Sequence, residues 1–243
     1  MKPKIKSGKT RLLLVEGKAE KEFFIQLGNH LQFPDDVSLQ IIVYEGKDNL
    51  RQFVGYIQQE SYFLSVTHIG IVRDADFDKR AFEDIQNALD HANTLNPDRP
   101  QFPEITETHI VFGNKPKVSV FIMPNANDDG MLESLLIEAL ANDKIMACVD
   151  EYFICLEKNN ITPKPEPLPK AQMRVYMTAL YQGKMRAYIE GKNVDVETVG
   201  SDKDKSYLSD IYKMTWWDWN HPVFDEIKIF IKQLVELPDS QEH

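Results

Sequence analysis

Short apolar runs alternate, in the first half of the chain, with segments in which apolar residues recur every three or four positions. The runs at residues 12–15, 39–44 and 68–72 are nearly continuous, which is typical of strands covered on both faces. The segments 20–31 and 50–57 have the spacing of amphipathic helices. This β-α-β-α-β order predicts an α/β fold with a mainly parallel, Rossmann-like sheet flanked by helices.

The pattern changes towards the C-terminus. A helix is predicted over 79–91, and "THIVFGNKPKVSVFIMP" predicts two strands joined by a Gly-Asn-Lys-Pro turn. Beyond Met131 the spacing is helical, interrupted by the proline-rich "NNITPKPEPLPK". We therefore expect an α/β core over residues 8–140 and a mainly helical extension over 141–243 packed on that core. The predicted helical segments beyond residue 130 are 131–140, 146–158, 170–188 and 223–237.

Two glutamates stand at the end of the first predicted strand, in "TRLLLVEGKAEKEFF". Glu16 ends the strand, Gly17 permits a sharp turn, and Glu20 falls in the first helical turn. This spacing brings both carboxylates to the carboxyl edge of the sheet, where open α/β sheets bind ligands. The alternative is that Glu16 is a solvated loop residue and that Glu20 complements the helix dipole.

Alternating aspartates follow the third predicted strand, in "HIGIVRDADFDK". Residues two apart point to the same side of an extended backbone, so Asp74 and Asp76 can approach one ion together. A divalent cation would offset the repulsion between such carboxylates. Asp78 is interpreted as the cap of the following helix.

A third acidic segment is "NANDDGMLESLL". Asp128 or Asp129 fits the N-cap of the helix that begins near Met131. Glu133, on the first turn, either faces the carboxylates as a further ligand or base, or belongs to an ordinary helix start. Both interpretations stay open.

These motifs carry a family resemblance. A strand that ends in Glu-Gly with an acid four residues later, followed by a strand that ends in Asp-x-Asp, resembles the TOPRIM domain of topoisomerases, DnaG-type primases and OLD-family nucleases. "LVEGKAEKEFF" and "GIVRDAD" are most similar to the small OLD-like group, and "DDGMLESLL" and "WDWNHPVFDEIKIFIKQL" resemble later segments of it.

The resemblance implies roles for individual residues. Glu16 matches the glutamate that binds metal or acts as general acid or base, and Asp74 and Asp76 match the Mg²⁺-binding aspartates. Glu20 matches the second acid of the OLD-type motif, and Glu133 a later acid. The implied cofactor is Mg²⁺ or Mn²⁺.

One part of the OLD pattern has no clear counterpart, the glycine-rich motif after the aspartates. Lys205, in "SDKDKSYLSD", is the candidate for the catalytic lysine of these nucleases. A solvated helix start explains this lysine equally well.

The composition limits the kinds of partner that the protein can have. The net charge of −10 over 243 residues argues against indiscriminate nucleic-acid binding, which needs a broad cationic surface. The chain contains no Walker A sequence, so an ATPase, if one takes part, must be a partner protein. The absence of a leader and of a membrane-spanning run predicts a cytoplasmic protein, and two cysteines give no thiolate metal site.

Cations for substrate phosphates are expected in two local clusters, against the alternative of solvated faces. They are Lys2, Lys4, Lys6, Lys9 and Arg11, and then Lys164, Lys170, Arg174, Lys184, Arg186 and Lys192. The tryptophans of "TWWDWNHP" favour packing of the last helix over stacking on bases.

The sequence therefore predicts a metal-dependent TOPRIM-type nuclease that hydrolyses phosphodiester bonds in DNA or RNA. A topoisomerase is not expected, because the chain is too short to add a DNA gate and a tyrosine-bearing domain. The alternatives are a non-catalytic TOPRIM module that binds nucleic acid or a partner protein, and a receiver-like domain phosphorylated on Asp74, which "VEGKAE" fits poorly.

Overall fold

The structure is a computed structural model, in which the chain divides into two compact units. The first comprises residues 1–132 and 219–243, and the second residues 133–218, whereas the sequence analysis placed one boundary at residue 140. For residues 181–189 only the backbone is described. The described residues are 4–34, 37–75, 80–125, 130–161, 167–189 and 218–236.

The elements of the chain follow the predicted α/β order. The strands are β1 (Arg11–Val15), β2 (Leu39–Val43), β3 (His68–Asp74) and β4 (Lys117–Met123). The helices are α1 (Lys18–His30), α2 (Leu50–Gln59), α3 (Ala81–Leu95), α4 (Leu132–Ala139), α5 (Lys144–Lys158), α6 (Leu168–Ile189) and α7 (Asp225–Val235). Three 3₁₀ turns accompany them at Lys47–Asn49, Ser61–Ser65 and Pro222–Phe224.

The four strands form one parallel sheet in the order β2-β1-β3-β4. The predicted fold class is therefore confirmed. The chain leaves β1 towards β2 on one side and returns to β3 on the other, so the strand order reverses between β1 and β3. Loops that diverge at such a switch point leave a crevice at the carboxyl ends of the strands.

The two faces of the sheet are covered by different helices. One buried cluster joins Leu12, Leu14, Ile69 and Ile71 with apolar residues of α2 and α3. The opposite face is covered by α7, whose fully buried Phe230 contacts the Phe121 ring with centroids 5.4 Å apart. Alternation of side chains along each strand separates these two layers.

Gly70, in the middle of β3, allows α7 to lie close to the sheet. A Cβ atom at Gly70 would lie 2.9 Å from Leu234, 3.0 Å from Phe230 and 3.1 Å from Leu13. All three neighbours are fully buried. Since a larger side chain has no room there, the glycine sets the depth at which α7 packs.

A charged cluster at the amino edge of the sheet fixes the end of α7. Glu236 accepts from Arg11 at 2.7 Å and from Lys117 at 3.3 Å, and lies 3.1 Å from His68 Nε2. The hydrogen bond from Arg11 is the main cause that lowers the pKa of Glu236. Glu236 thus connects the starts of β1, β3 and β4 to the helix that covers them.

Glu236→Gln is expected to lower the free energy of unfolding by up to about 1 kcal/mol at pH 7, the usual upper value for an exposed ion pair. Because the folded-state pKa of Glu236 is lowered, its contribution is present above the ordinary glutamate pKa and is lost as pH falls through the folded value. Urea denaturation at pH 7 and at pH 3 measures this difference. The exposed Glu107→Gln is the control, and an equal loss at both pH values would contradict the interpretation.

Of the two strands predicted before residue 124, the first is not formed, and that prediction is wrong. Only Phe112 forms an isolated antiparallel bridge, with Val118 of β4. His109 and Gly113 have φ values of 63° and 79°, which extended strands do not adopt. The segment therefore turns twice instead of forming a strand.

The second unit is helical. Asp143 caps α5 by accepting from the amides of Ile145 and Met146 at 2.7 and 3.2 Å. Burial, followed by the nearby Asp143 carboxylate, raises the pKa of Tyr176 in α6. Among the described residues no helix combines the length and apolar character needed to cross a membrane, and both cysteines are exposed thiols.

Candidate metal and active site

Two of the predicted acids lie at the switch point of the sheet. Glu16 directly follows β1, and Asp74 is the last residue of β3. β1 and β3 are neighbours, with Leu14 opposite Ile71. Continuing this register by two residues puts Glu16 level with Arg73, so Glu16 and Asp74 leave the same edge of two strands about 4.8 Å apart, offset by one residue.

Tyr44, which follows β2, reports the negative charge at this edge. Its ring is buried, and its hydroxyl donates to the Val72 carbonyl at 2.9 Å. Burial raises the pKa of the Tyr44 phenol, the carboxylates of Glu16, Asp74 and Glu20 raise it further, and the Arg73 guanidinium lowers it in part. The three acids therefore act on one buried phenol, although they come from three different elements.

Glu20 returns towards the strand end because residue 17 is glycine. The Glu20 side chain is 8% exposed, and a Cβ at Gly17 would lie 2.8 Å from its Oε2. Gly17 has φ −137° and ψ −176°, which any residue adopts. The structure corrects the expected reason for this glycine: it provides space for a carboxylate and not a special turn.

Gly17→Ala is expected to displace the Glu20 carboxylate with little effect on stability, about 0.5 kcal/mol or less, because a flexible side-chain end gives way. If Glu20 helps to hold an ion, Mn²⁺ affinity falls at the same time. Mn²⁺ titration by electron paramagnetic resonance measures the affinity, and urea denaturation measures the stability. Gly55→Ala, where a Cβ would make an ordinary contact of 3.6 Å with Leu95, is the control.

Asp74 is fixed by a backbone contact. Its side chain is 5% exposed, and its Oδ1 accepts from the Leu132 amide at 3.1 Å. Glu133 follows directly, opens the second unit and is 2% exposed. Its role as a metal ligand stays a prediction.

The acids present the right donor type for a hard cation. One carboxylate oxygen each of Glu16, Glu20 and Glu133 is buried from solvent. Within the described residues, no group of three or more His, Cys, Asp or Glu side chains is assembled for a metal. Magnesium does not need such a group, since it takes one or two carboxylates together with waters and substrate phosphate.

Several predicted residues lie outside the described part of the chain. The assignments of Asp76 as a ligand and Lys205 as the catalytic lysine therefore stay predictions. The same holds for the predicted caps and for two of the tryptophans. These residues are Asp78, Asp128, Asp129, Trp216 and Trp217.

In the N-terminal basic cluster, Lys4, Lys6 and Lys9 precede β1 and Arg11 is its first residue, at the opposite end of the strand from Glu16. Lys2, and Lys164 and Lys192 of the second cluster, lie outside the described residues. Arg11 donates to Glu236, and this ion pair accounts for its position in the fold. Lys170 and Arg174 lie in α6 of the second unit. The expectation that either cluster contacts phosphates stays a prediction.

The packing interpretation is confirmed for Trp219. Its side chain is 7% exposed, and its ring lies 5.4 Å from Phe23 and 5.2 Å from Phe224. The tryptophan joins α1 to the start of α7. It is therefore part of the core and does not offer a face to a base.

The sequence analysis missed Arg73, which directly precedes Asp74. Its side chain is 3% exposed and donates to Asp84 at 2.7 Å and to the Ala81 carbonyl at 3.3 Å. The available signal was a charged residue inside an otherwise apolar strand. Because successive strand residues point to opposite faces, Arg73 points towards α3 and Asp74 to the other face of the sheet.

Comparison with known proteins adds a family. The sequence matches, over residues 10–236, the model of a family described as "Protein of unknown function (DUF3226)". Comparison with curated proteins gives no match. A structural similarity connects the chain to the hypothetical protein PH0156 from Pyrococcus horikoshii OT3, with a TM-score of 0.45, 18% identity, and coverage of 92% of this chain and 94% of the other.

Proposed function

Because the chain belongs to the DUF3226 family, whose description assigns no activity, we propose a function from the site itself: divalent-metal-dependent hydrolysis of phosphodiester bonds in DNA or RNA. The site is of TOPRIM type and takes Mg²⁺ or Mn²⁺. It is built on Glu16, Glu20 and Asp74. Asp76 joins them through its two-residue spacing from Asp74.

One observation carries the proposal: Glu16 and Asp74 stand at the carboxyl ends of neighbouring parallel strands at the switch point, and the buried Glu20 carboxylate turns back over Gly17 to the same edge. Such convergence of like charges is costly without a cation. Carboxylate oxygens at the mouth of a crevice, with room for waters and phosphate, are what magnesium prefers. An isolated helix-dipole role for Glu20 would not account for its buried carboxylate.

The residues divide the chemistry between them. When bound, the cation supplies Lewis acidity and neutralises charge on the phosphate. Asp74, whose Oδ1 accepts from the Leu132 amide, would hold the ion with its carboxylate. Glu16 accepts a proton from the attacking water as general base, which requires a half-exposed carboxylate within reach of solvent. Lys205 is the candidate donor that stabilises the leaving oxygen.

The setting of the reaction follows from the same proposal. The substrate is a nucleic acid, and the reaction takes place in the cytoplasm. An ATPase enters only as a separate partner protein, since the sequence has no P-loop.

The test is incubation of the full chain with supercoiled plasmid, single-stranded DNA and RNA, each with Mg²⁺, Mn²⁺ or EDTA. We expect nicking or strand cleavage with metal and none with EDTA. Cleavage that persists in EDTA would overturn the proposal. Binding of nucleic acid without cleavage under all conditions would favour the non-catalytic module.

A further inference from the structure

A polar cavity of about 820 Å³ lies between α2 and α3, on the sheet face towards which Arg73 points. We call it the α2–α3 cleft. Of its lining residues only Leu50 is apolar, and the cations are Lys47, Arg51, Arg73 and Arg80. Pockets for apolar small molecules are lined mainly by hydrophobic and aromatic side chains, so this lining favours a charged, hydrophilic ligand.

The charge of the cleft favours an anion. Four lysine and arginine side chains stand against the three aspartates Asp48, Asp84 and Asp90. This local excess occurs in a chain with a net charge of −10. Arg73 and Asp84 form an ion pair, which leaves Lys47, Arg51 and Arg80 against Asp48 and Asp90, an excess of one positive charge.

Arg73 lies buried at the bottom of the cleft. Although its guanidinium donates to Asp84 and to a carbonyl of α3, its Nε is buried and meets no acceptor among the described residues. A buried donor of this kind costs about 1–3 kcal/mol when it stays unsatisfied. An anionic oxygen in the cleft would satisfy it.

Further positive charge at the cleft comes from Arg51 and from the start of α2. Arg51, in the first turn of α2, reaches α3 and lies 3.1 Å from His91 Nδ1. The Asn49 side chain donates to the Glu45 carbonyl and does not cap α2, whose first turn contains no acid. The positive end of the α2 dipole therefore adds to the potential of the cleft.

The cleft adjoins the proposed metal site through the chain itself. Arg73 is the neighbour of Asp74, and Lys47 follows Gly46, whose amide donates to the Glu16 carbonyl at 3.2 Å. Lys47 follows β2 and Arg80 precedes α3, so the cleft opens at the same carboxyl edge of the sheet as Glu16 and Asp74. Phosphate contacts from lysine and arginine are the usual means of fixing register on a nucleic acid.

We propose that the α2–α3 cleft binds the phosphate groups of a nucleic-acid strand beside the scissile bond. This role rests on the proposed function, but the binding itself does not need cleavage. The cleft supplies the cations that an acidic protein needs for its substrate, and it supplies them next to the carboxylates.

The test measures binding of a fluorescein-labelled single-stranded 12-mer, as DNA and as RNA, by anisotropy in EDTA. Arg51→Gln combined with Arg80→Gln is expected to raise Kd at least about tenfold and to reduce the salt slope by about 1.4 for two lost contacts on a single strand. The control is Lys144→Gln combined with Lys158→Gln, an equal charge change on exposed residues of α5, with Kd within about twofold.

A second variant excludes misfolding as the cause. Asp48→Asn removes a negative charge from the cleft and is expected to tighten binding about two- to threefold, a gain that a damaged fold cannot produce. Circular dichroism and thermal melting verify folding of each variant. Unchanged Kd in the double arginine variant, or no gain in Asp48→Asn, would overturn the proposal.

Competition separates a strand from a small phosphate ligand. Unlabelled 12-mer is expected to compete at least about 100-fold better than a nucleoside monophosphate or inorganic phosphate, because a strand makes several contacts at once. Equal competition would overturn the assignment to a strand. If the wild type binds the 12-mer through the cleft arginines but does not cleave nucleic acid, only the proposed function is contradicted. If cleavage depends on Asp74 but not on the cleft arginines, only this inference is contradicted.

Discussion

Asp74→Asn is expected to reduce metal-dependent cleavage at least about 100-fold, since losing even an outer-shell partner of a metal ligand costs about 10–100-fold. The substitution keeps an oxygen that can accept from the Leu132 amide, so the fold should persist. It removes one of the carboxylates that raise the pKa of Tyr44, and with it a ligand charge. Initial rates with Mn²⁺ measure the effect.

Glu16→Gln is expected to lower the rate by about 10²–10⁴, the usual contribution of a general base. Mn²⁺ affinity separates the two roles, because Asp74→Asn is expected to lower the affinity for Mn²⁺ more than Glu16→Gln does. The exposed Asp98→Asn and the partly buried Glu22→Gln are matched controls away from the strand ends. Full activity in a folded Asp74→Asn protein would contradict the site.

Phe230→Ala is expected to destabilise the first unit by about 3–5 kcal/mol, the range for truncating a buried phenylalanine. Its ring is fully buried, contacts Phe121 and fills the space above Gly70. Truncation leaves a cavity that the rigid sheet cannot close. Chemical denaturation followed by circular dichroism gives the change in the free energy of unfolding.

Gly70→Val tests the same interface from the sheet side. A Cβ there already meets three buried side chains within about 3 Å, so the added methyls should cost about 1–3 kcal/mol or more. Ile229→Ala, on the same helix but half exposed, is the control and should cost much less. Similar losses for Ile229→Ala and Phe230→Ala would mean that α7 does not pack as described.

The α/β core was predictable because β1 and β3 are short apolar runs and α2 has helical spacing. The predicted strand before Gly113 was wrong because composition cannot show that His109 adopts a positive φ. Nor could local patterns show that α7 returns to β3 and β4. That contact depends on Gly70 and on residues about 160 positions later in the chain.

For the candidate site, strand-end acids were the signal that the sequence offered. Glu16 and Asp74 could be identified because each follows an apolar run, but only the strand order places them next to each other. Tyr44 was missed because a tyrosine after a strand is an ordinary core residue. Arg73 was missed because its meaning depends on Asp84 and on a cavity between helices.

The discontinuity of the first unit has a consequence for its synthesis. Residues 133–218 separate the sheet from Trp219 and α7, which complete it. As the chain emerges from the ribosome, the part of β3 and β4 that α7 covers stays exposed until α7 has left the ribosome. Phe121 and Val72 then remain exposed to chaperones during that interval, so premature termination anywhere before Trp219 should yield aggregation instead of a smaller working protein.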